Sequence, residues 1–254
     1  MKLNFLKTTL IVCLLSLFFC SAGWTTAEAA ALNVYGPGGP LGPMQECATL
    51  FSQMKGVTVN VIAGPEPRWI DKALQDADLV FGGGEYMLTD FALKHPGLLD
   101  NASRTSLYIR ASGVLVRKGN PKNIQSLKDL AKDGINILDV NGAGQVGLWE
   151  DLAGVRGLLP AIQNNITVSV TDSAEAIELW KSQSIFDAWI TYESWHYRLK
   201  DVTDLIKLSE SEKVYRGAPI AVTSISSNRI LALEFIEYLK SEPAHAVFQK
   251  WGWK

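Results

Sequence analysis

The chain has 254 residues, with 24 basic and 26 acidic side chains and a formal net charge of −2 at pH 7. This length suits one large domain or two smaller lobes. A mildly acidic chain without a basic patch argues against nucleic acid as a partner, because binding to a phosphate backbone depends on clustered lysine and arginine.

The first segment has the pattern of a secretory signal. Two lysines within the first seven residues precede an apolar run over 10–19, and Ala27-Glu28-Ala29 has the small-residue form of a cleavage site. The run is shorter than the roughly 20 apolar residues of a membrane span, which disfavours an uncleaved anchor. Cys20 leaves a lipoprotein as the other alternative. We therefore predict a signal peptide over 1–29 and a periplasmic mature protein.

Removal of residues 1–29 leaves Cys47 as the single cysteine and changes the formal charge to −3, since two lysines and one glutamate are lost. An intramolecular disulfide is then impossible, and the fold must be held by its core. Met44, Cys47 and Phe51 share one face of a helical pattern. We expect Cys47 to be a buried thiol and not a reactive one.

The next part of the chain alternates between strand and helix patterns. Short apolar runs predict strands, and apolar residues at helical spacing predict helices between them. The predicted strands are 32–35, 57–62 and 79–81, and the predicted helices are 41–54, 68–75 and 86–94. Such alternation indicates an α/β fold with a mainly parallel sheet flanked by helices.

The second half repeats this organisation after a strand-rich stretch. The predicted strands are 106–109, 114–117, 135–140, 166–170, 188–190 and 218–223, and the predicted helices are 127–132, 146–158, 173–182 and two more between 230 and 251. The stretch from Arg198 to Tyr215 is polar and charged, with no predicted element. The two strand–helix series therefore indicate two lobes of similar construction.

Five predicted strands run into small or polar turns that open a helical pattern. The five turns are 36–40, 64–67, 82–85, 141–145 and 191–193. In open α/β folds, ligands bind at the carboxyl ends of parallel strands, where free backbone N–H groups favour anions. The repetition predicts one ligand site built from these turns.

Several of these segments resemble known binding proteins. The segments 115–121 (LVRKGNP), 126–130 (SLKDL) and 235–248 (FIEYLKSEPAHAVF) resemble periplasmic solute-binding proteins of type II, the molybdate/sulfate-binding type. A closer resemblance is to the accessory colonization factor AcfC group. It rests on 34–40 (VYGPGGP), 63–65 (AGP) with 69–72 (WIDK), 76–79 (DADL) and 142–151 (GAGQVGLWED).

The resemblance implies a two-lobe venus flytrap that clamps its ligand between the lobes. Lobe I would comprise 30–112 plus 218–254, and lobe II would comprise 113–217. Two crossings near 111–113 and 216–219 would form the hinge about which the lobes close. We expect a monomer without stable membrane insertion after cleavage of the signal.

The turns of the first series supply candidate ligand contacts. Gly38 and Gly39 would let the backbone approach a ligand closely, with a plain tight turn as the alternative. Gly84 ends a run of three glycines that could form an anion nest. Glu85 would either cap the following helix or accept a hydrogen bond from a ligand amine.

The turns of the second strand–helix series also supply candidate ligand contacts. Gly144 and Gln145 precede the helix predicted over 146–158, and the Gln145 amide can donate or accept a hydrogen bond. Tyr192 could donate its hydroxyl at the end of a strand. Glu85 and Glu193 both carry a negative charge near the expected site, which keeps a zwitterionic ligand in contention beside an anion.

Two arginines are the candidate cations. Arg68 lies where a helix dipole disfavours a positive charge, so that its guanidinium could instead bind a carboxylate or sulfate through two hydrogen bonds. The alternative is a solvated surface arginine. Trp69 beside it could form a cleft wall. Arg110 precedes the proposed hinge and would bind the ligand or form a salt bridge between the lobes.

We interpret the chain as a binding protein for a small anionic or zwitterionic solute: an oxyanion, a carboxylate or an amino acid. Its partner would be an ABC permease in uptake or, alternatively, a chemoreceptor in a sensory or colonization role. An enzyme is the least favoured hypothesis. The three histidines have no metal-ligand spacing, and no G-x-S-x-G motif occurs. We predict no catalytic residue, metal or cofactor.

Overall fold

The computed structural model describes residues 30–254, so the predicted signal peptide lies outside the described residues. The strands are β1 (Ala31–Gly36), β2 (Thr58–Ala63), β3 (Leu79–Phe81), β4 (Thr105–Arg117), β5 (Ile137–Val140), β6 (Ile166–Val170), β7 (Ala188–Tyr192), β8 (Thr203–Ile206) and β9 (Tyr215–Val222). The helices are α1 (Leu41–Lys55), α2 (Ile70–Asp76), α3 (Glu85–Lys94), α4 (Leu127–Leu130), α5 (Leu148–Gly154), α6 (Leu159–Asn165), α7 (Ser173–Ser182), α8 (Glu193–Leu199), α9 (Arg229–Leu239) and α10 (Glu242–Lys250).

The strands form one curled sheet in the order β2-β1-β3-β9-β4-β7-β5-β6, and β8 also pairs with β4. At one end, β1 pairs in parallel with β2 and β3. At the other, β5 pairs in parallel with β6 and β7. The strands β4 and β9 run antiparallel to each other between these two groups. The predicted α/β class with two mainly parallel groups is therefore confirmed.

A single long strand connects the two groups. The sequence patterns predicted two short strands over 106–109 and 114–117, but β4 is continuous from Thr105 to Arg117. Up to Ala111 it pairs with β9, and from Ser112 onward it pairs with β7 and β8. The change of partner inside one strand places Arg110 where the two groups of strands meet.

Each group of strands has its own hydrophobic core, as a two-lobe fold requires. In lobe I, which we define as β1–β3, β9, the first half of β4, α1–α3, α9 and α10, one cluster includes Phe51 and Phe235, and another includes Tyr35 and Phe91. Lobe II contains the remaining elements, and its cluster is built around Trp180 and neighbouring aromatic and aliphatic side chains.

Cys47 lies in the lobe I core without solvent exposure, as predicted. Burial raises the pKa of its thiol to about 12, so the reactive thiolate is disfavoured at neutral pH. Between residues 30 and 254, no helix has both the length and the apolar character needed to cross a bilayer.

In the second half of the chain, the observed elements differ from the predicted ones in three places. The helix predicted over 146–158 is shorter, because Gly147 adopts a left-handed conformation with φ of +70° and α5 begins only at Leu148. A separate helix, α6, follows at Leu159. The polar stretch over 198–215, for which no element is predicted, contains β8, whereas the helical pattern after the fifth turn is α8.

Replacement of Phe235 tests the lobe I core. Its side chain is fully buried and lies 5.0 Å, centroid to centroid, from the ring of Phe51. We expect Phe235→Ala to lower the free energy of unfolding by about 3–5 kcal/mol, because it leaves a cavity. Leu233→Ala, on the same helix but 37% exposed, is the matched control and should cost about 1 kcal/mol or less. Equal losses in urea denaturation would contradict the assignment of Phe235 to the core.

Candidate functional site

A cleft of about 580 Å³ lies between the two lobes. Four of the five predicted turns line it, and the fifth contributes through the helix α8 that follows it. The lining segments include residues 37–39, 63–68 and Gly83 from lobe I and residues 143–146 and 171–174 from lobe II. The strand ends of both lobes therefore converge on one cleft, as the sequence predicted.

Arg110 lies on the wall of this cleft and is only 1% exposed. Its Nη2 donates a hydrogen bond of 2.7 Å to the carbonyl oxygen of Gly83. Its Nε and Nη1 are buried and find no hydrogen-bond partner in the described part of the chain. Desolvation lowers the pKa of Arg110, yet arginine keeps its proton in proteins. The site therefore holds a buried positive charge with free donors.

Glycines from both lobes surround this guanidinium. A Cβ at Gly39 would lie 2.6 Å from Arg110 Nη1. A Cβ at Gly144 would lie 2.6 Å from Arg110 Nη2 and would overlap the carbonyl oxygen of Gly83. Gly39 and Gly83 belong to lobe I and Gly144 to lobe II. At Gly144 the overlap is with backbone, so a side chain there would force the lobes apart, whereas at Gly39 it would displace the end of the Arg110 side chain.

Tyr192 supports the arginine from lobe II. The Arg110 Cζ atom lies 3.9 Å from the centroid of the Tyr192 ring, within the range of a cation–π interaction. The Tyr192 hydroxyl donates to the carbonyl oxygen of Gly144 at 2.7 Å. Tyr192 is fully buried and does not line the cleft. The Tyr192 hydroxyl, which was predicted to donate to the ligand, therefore donates to another group of the protein.

The Gln145 side chain lines the cleft but is held by its neighbours. Its Oε1 accepts a 2.6 Å hydrogen bond from the Thr191 hydroxyl, and its Nε2 donates at 2.8 Å to the Ser173 hydroxyl. Gln145 is 3% exposed. It fixes the position of the 143–146 turn relative to α7 and so shapes the lobe II wall.

A tyrosine of lobe I bonds to the same turn. The hydroxyl of Tyr86, on α3, donates to the carbonyl oxygen of Ala143 and accepts from the Val146 N–H at 3.0 Å. Ala143 has a φ of +47°, a strained conformation for a residue with a Cβ. The contact between lobes therefore holds this turn in an unusual backbone conformation.

Two further groups of lobe II face the cleft. Arg198 Nη1 donates at 2.9 Å to the carbonyl oxygen of Gly38, across the cleft, and its Cζ lies 4.8 Å from the Trp195 ring. Asp172 caps α7 by accepting from the N–H groups of residues 174 and 175. Arg68, on the lobe I side, lines the cleft with an exposed side chain.

Trp69 and Gly84, both of which were predicted to line the ligand site, lie behind the cleft. Trp69 is 4% exposed in the lobe I core, and its Nε1 donates at 3.1 Å to the carbonyl oxygen of Gly64. It supports the turn that carries Arg68 and does not line the cleft itself. Gly84 is the N-cap residue before α3 and does not line the cleft, whereas Gly83 of the same run does.

Glu85 and Glu193, whose negative charges were the reason to consider a zwitterionic ligand, also point away from the cleft. The Glu85 carboxylate lies 2.9 Å from Arg104 Nη2, and the Glu193 carboxylate lies 3.3 Å from Lys213 Nζ. Neither lines the cleft. Each pairs with a cation on its own side of the molecule, so the carboxylates do not oppose an anion at Arg110.

The sequence did not identify Tyr86, Ser173 or Arg198 as part of the site. Arg198 lies on α8, for which the patterns gave no extent, and the other two act through contacts with the opposite lobe or a neighbouring turn. No group of three or more His, Cys, Asp or Glu side chains within residues 30–254 is arranged to hold a metal ion.

A family model described as "Bacterial extracellular solute-binding protein" matches residues 32–254, and the chain belongs to this family. A crystal structure of Peb3 from Campylobacter jejuni is 32% identical, with a TM-score of 0.80. A structure of PEB3 with L-phospholactate bound is 33% identical, with a TM-score of 0.82. Each of these two matches covers 88% of this chain and 99% of the other. The type II periplasmic binding-protein fold is confirmed.

Two further matches are more distant and support weaker conclusions. A periplasmic molybdate-binding protein from Azotobacter vinelandii is 17% identical, with a TM-score of 0.69 over 88% of this chain and 98% of that one, which shows the fold alone. The uncharacterized protein YvgK of Bacillus subtilis (strain 168) is 40% identical over 57 residues. That match spans 22% of this chain and only 18% of YvgK.

An alanine at Gly144 should separate the lobes. Its Cβ would overlap the Gly83 carbonyl oxygen, and opening of the cleft relieves this overlap without disturbing either core. We expect Gly144→Ala to increase the radius of gyration measured by small-angle X-ray scattering. In the control Gly154→Ala the new Cβ has its nearest neighbour at 3.7 Å, so the radius should not change. Identical scattering from both variants would show that Gly144 does not limit closure.

Proposed function

We propose that the protein binds a small organic anion in the cleft between its lobes and delivers it to an ABC-type permease. The observation that carries this proposal is the Arg110 guanidinium, buried beside the cleft with two donor atoms that have no partner among the described residues. A buried charge is costly unless it is paired. An anion in the cleft would pair it through charge-assisted hydrogen bonds.

The size of the cleft supports an organic solute over an inorganic ion. A volume of about 580 Å³ lies within the range typical of small-molecule sites, roughly 300–1,000 Å³. A sulfate or molybdate ion would fill only a small part of it. Arg68 and Arg198 add positive charge elsewhere on the lining, which suits a second anionic group on the same ligand.

We infer a phosphorylated carboxylate as the ligand class. PEB3 has been crystallised with L-phospholactate, a molecule with two anionic groups, and resembles this chain over nearly its whole length. The deep guanidinium would bind one group, and the outer arginines would face the other. Glu85 and Glu193 do not line the cleft, so these two carboxylates give no support for an amino acid. Glu66, Asp90 and Asp172 do line it, but the four cationic side chains of the lining (Arg68, Lys94, Arg110 and Arg198) outnumber them.

The proposal includes the predicted organisation of the chain. Residues 1–29 would direct export to the periplasm and be removed. Lobe I would comprise 30–112 plus 218–254 and lobe II would comprise 113–217, except that residues 215–217 begin β9 and pair with the lobe I half of β4. The hinge would lie where β4 changes its pairing partner. The monomeric protein would close on its ligand and release it to the permease without chemical change.

A thermal-shift screen of the unmodified protein tests the proposed ligand class. A ligand present at about 100 times its Kd should add roughly 2.7 kcal/mol of stability. L-phospholactate and other phosphorylated carboxylates should raise the melting temperature more than sulfate, molybdate or neutral amino acids. Stabilisation by an amino acid with no response to any of the anions would overturn the proposal.

Replacement of Arg110 by methionine should separate binding from stability. An apolar side chain of similar length removes the desolvation cost of an unpaired buried charge, and this gain offsets the loss of the hydrogen bond to Gly83. We expect the free energy of unfolding to change by no more than about 1 kcal/mol or to rise, while the stabilisation by anions is lost.

The matched control is Arg117→Met in lobe II. Arg117 donates to the carbonyl oxygens of Phe186 at 2.7 Å and Trp180 at 2.6 Å, away from the cleft. This variant should lose stability but keep the response to anions, as measured by denaturation and thermal shift. Retention of anion binding in Arg110→Met would contradict the role assigned to Arg110.

A further inference from the structure

The segment after α10 packs against the same arginine. The Trp253 ring centroid lies 5.0 Å from the Cζ atom of Arg110, and Trp253 is 2% exposed. The neighbouring residue Lys254 exchanges two backbone hydrogen bonds with Ile109, of 2.7 and 3.2 Å. This pairing fixes the segment directly beside Arg110 on β4.

The Trp253 ring is itself held in place. Its backbone N–H donates to the carbonyl oxygen of Phe248 at 3.0 Å, and the two rings pack edge to face at a centroid distance of 5.7 Å. Trp253 does not line the cleft. Its indole therefore contacts the guanidinium from behind, in a fixed position, and leaves the ligand space open.

Arg110 is consequently held by two aromatic rings, Tyr192 from lobe II and Trp253 from lobe I. A carboxylate would hold an arginine equally well, but it would neutralise the charge and occupy the N–H groups. An aromatic face attracts the cation and leaves the N–H edge free. The unpartnered Nε and Nη1 of Arg110 fit this arrangement.

We propose that Trp253 is a positioning residue for Arg110 and sets the affinity of the cleft for anions without touching the ligand. The inference rests on the proposed function of Arg110 as the anion-binding group. It assigns a positioning role to Trp253, which follows the last helix and belongs to none of the strand-end turns.

The test compares three variants with L-phospholactate as the probe. Trp253→Met fills a similar space without a ring, Trp253→Phe keeps an aromatic face, and Trp251→Leu is the control. Trp251 packs against α1, where its Nε1 donates to Glu46 at 2.9 Å. We expect about a tenfold loss of affinity in Trp253→Met and a much smaller loss in Trp253→Phe and Trp251→Leu.

A spectroscopic measurement tests the contact without any ligand. In protein labelled with ¹⁵N-arginine, the Nε–H resonance of Arg110, assigned by its disappearance in Arg110→Met, should be shifted by the ring current of Trp253. It should move in Trp253→Met and stay in place in Trp251→Leu. If Trp253→Met does not fold, a partial displacement of the resonance in Trp253→Phe gives the same answer.

The outcomes separate this inference from the proposed function. An unmoved Arg110 resonance, or unchanged affinity in Trp253→Met, overturns the positioning role. Equal loss of affinity in Trp253→Met and Trp251→Leu also overturns it, because the effect is then general packing. Failure of the unmodified protein to bind L-phospholactate, with the resonance still dependent on Trp253, would count against the proposed ligand and not against the contact.

Discussion

The buried guanidinium of Arg110 constrains how the two lobes can meet. It sits where β4 passes from one group of strands to the other, so neither lobe alone encloses it. A Cβ at position 144 would overlap the backbone carbonyl of Gly83, and a Cβ at position 39 would displace the guanidinium itself. The charge, the glycine-rich turns and the closed cleft are therefore parts of one arrangement.

Besides the buried contacts around Arg110, polar contacts join the two lobes at the cleft. Tyr86 bonds to the 143–146 turn, and Arg198 bonds to the carbonyl oxygen of Gly38. Arg216 donates at 2.8 Å both to the carbonyl oxygen of Val146 and to Asp151. Exposed polar contacts of this kind contribute little stability, unlike the separate cores inside each lobe. Such an interface lets the lobes separate while each keeps its fold.

The sequence correctly indicated many secondary-structure elements and turns, but it gave less information about the directions in which side chains point. Apolar runs ending in glycine-rich turns correctly predicted that strand ends from both lobes would meet. The same patterns could not tell that Trp69 packs inward or that Glu85 turns to Arg104, because turn side chains are directed by tertiary contacts. Arg110 was identified as a cation near the hinge, but its burial depends on β4 being continuous, which periodicity does not reveal.

A crystal structure of the protein with a phosphorylated carboxylate tests the central claim most directly. The account predicts an anionic oxygen of the ligand about 2.7–2.9 Å from Nη1 or Nε of Arg110, the range of a charge-assisted hydrogen bond. The three glycines should stay close around that group. A ligand bound elsewhere, with both nitrogens of Arg110 still unpartnered, would contradict the account.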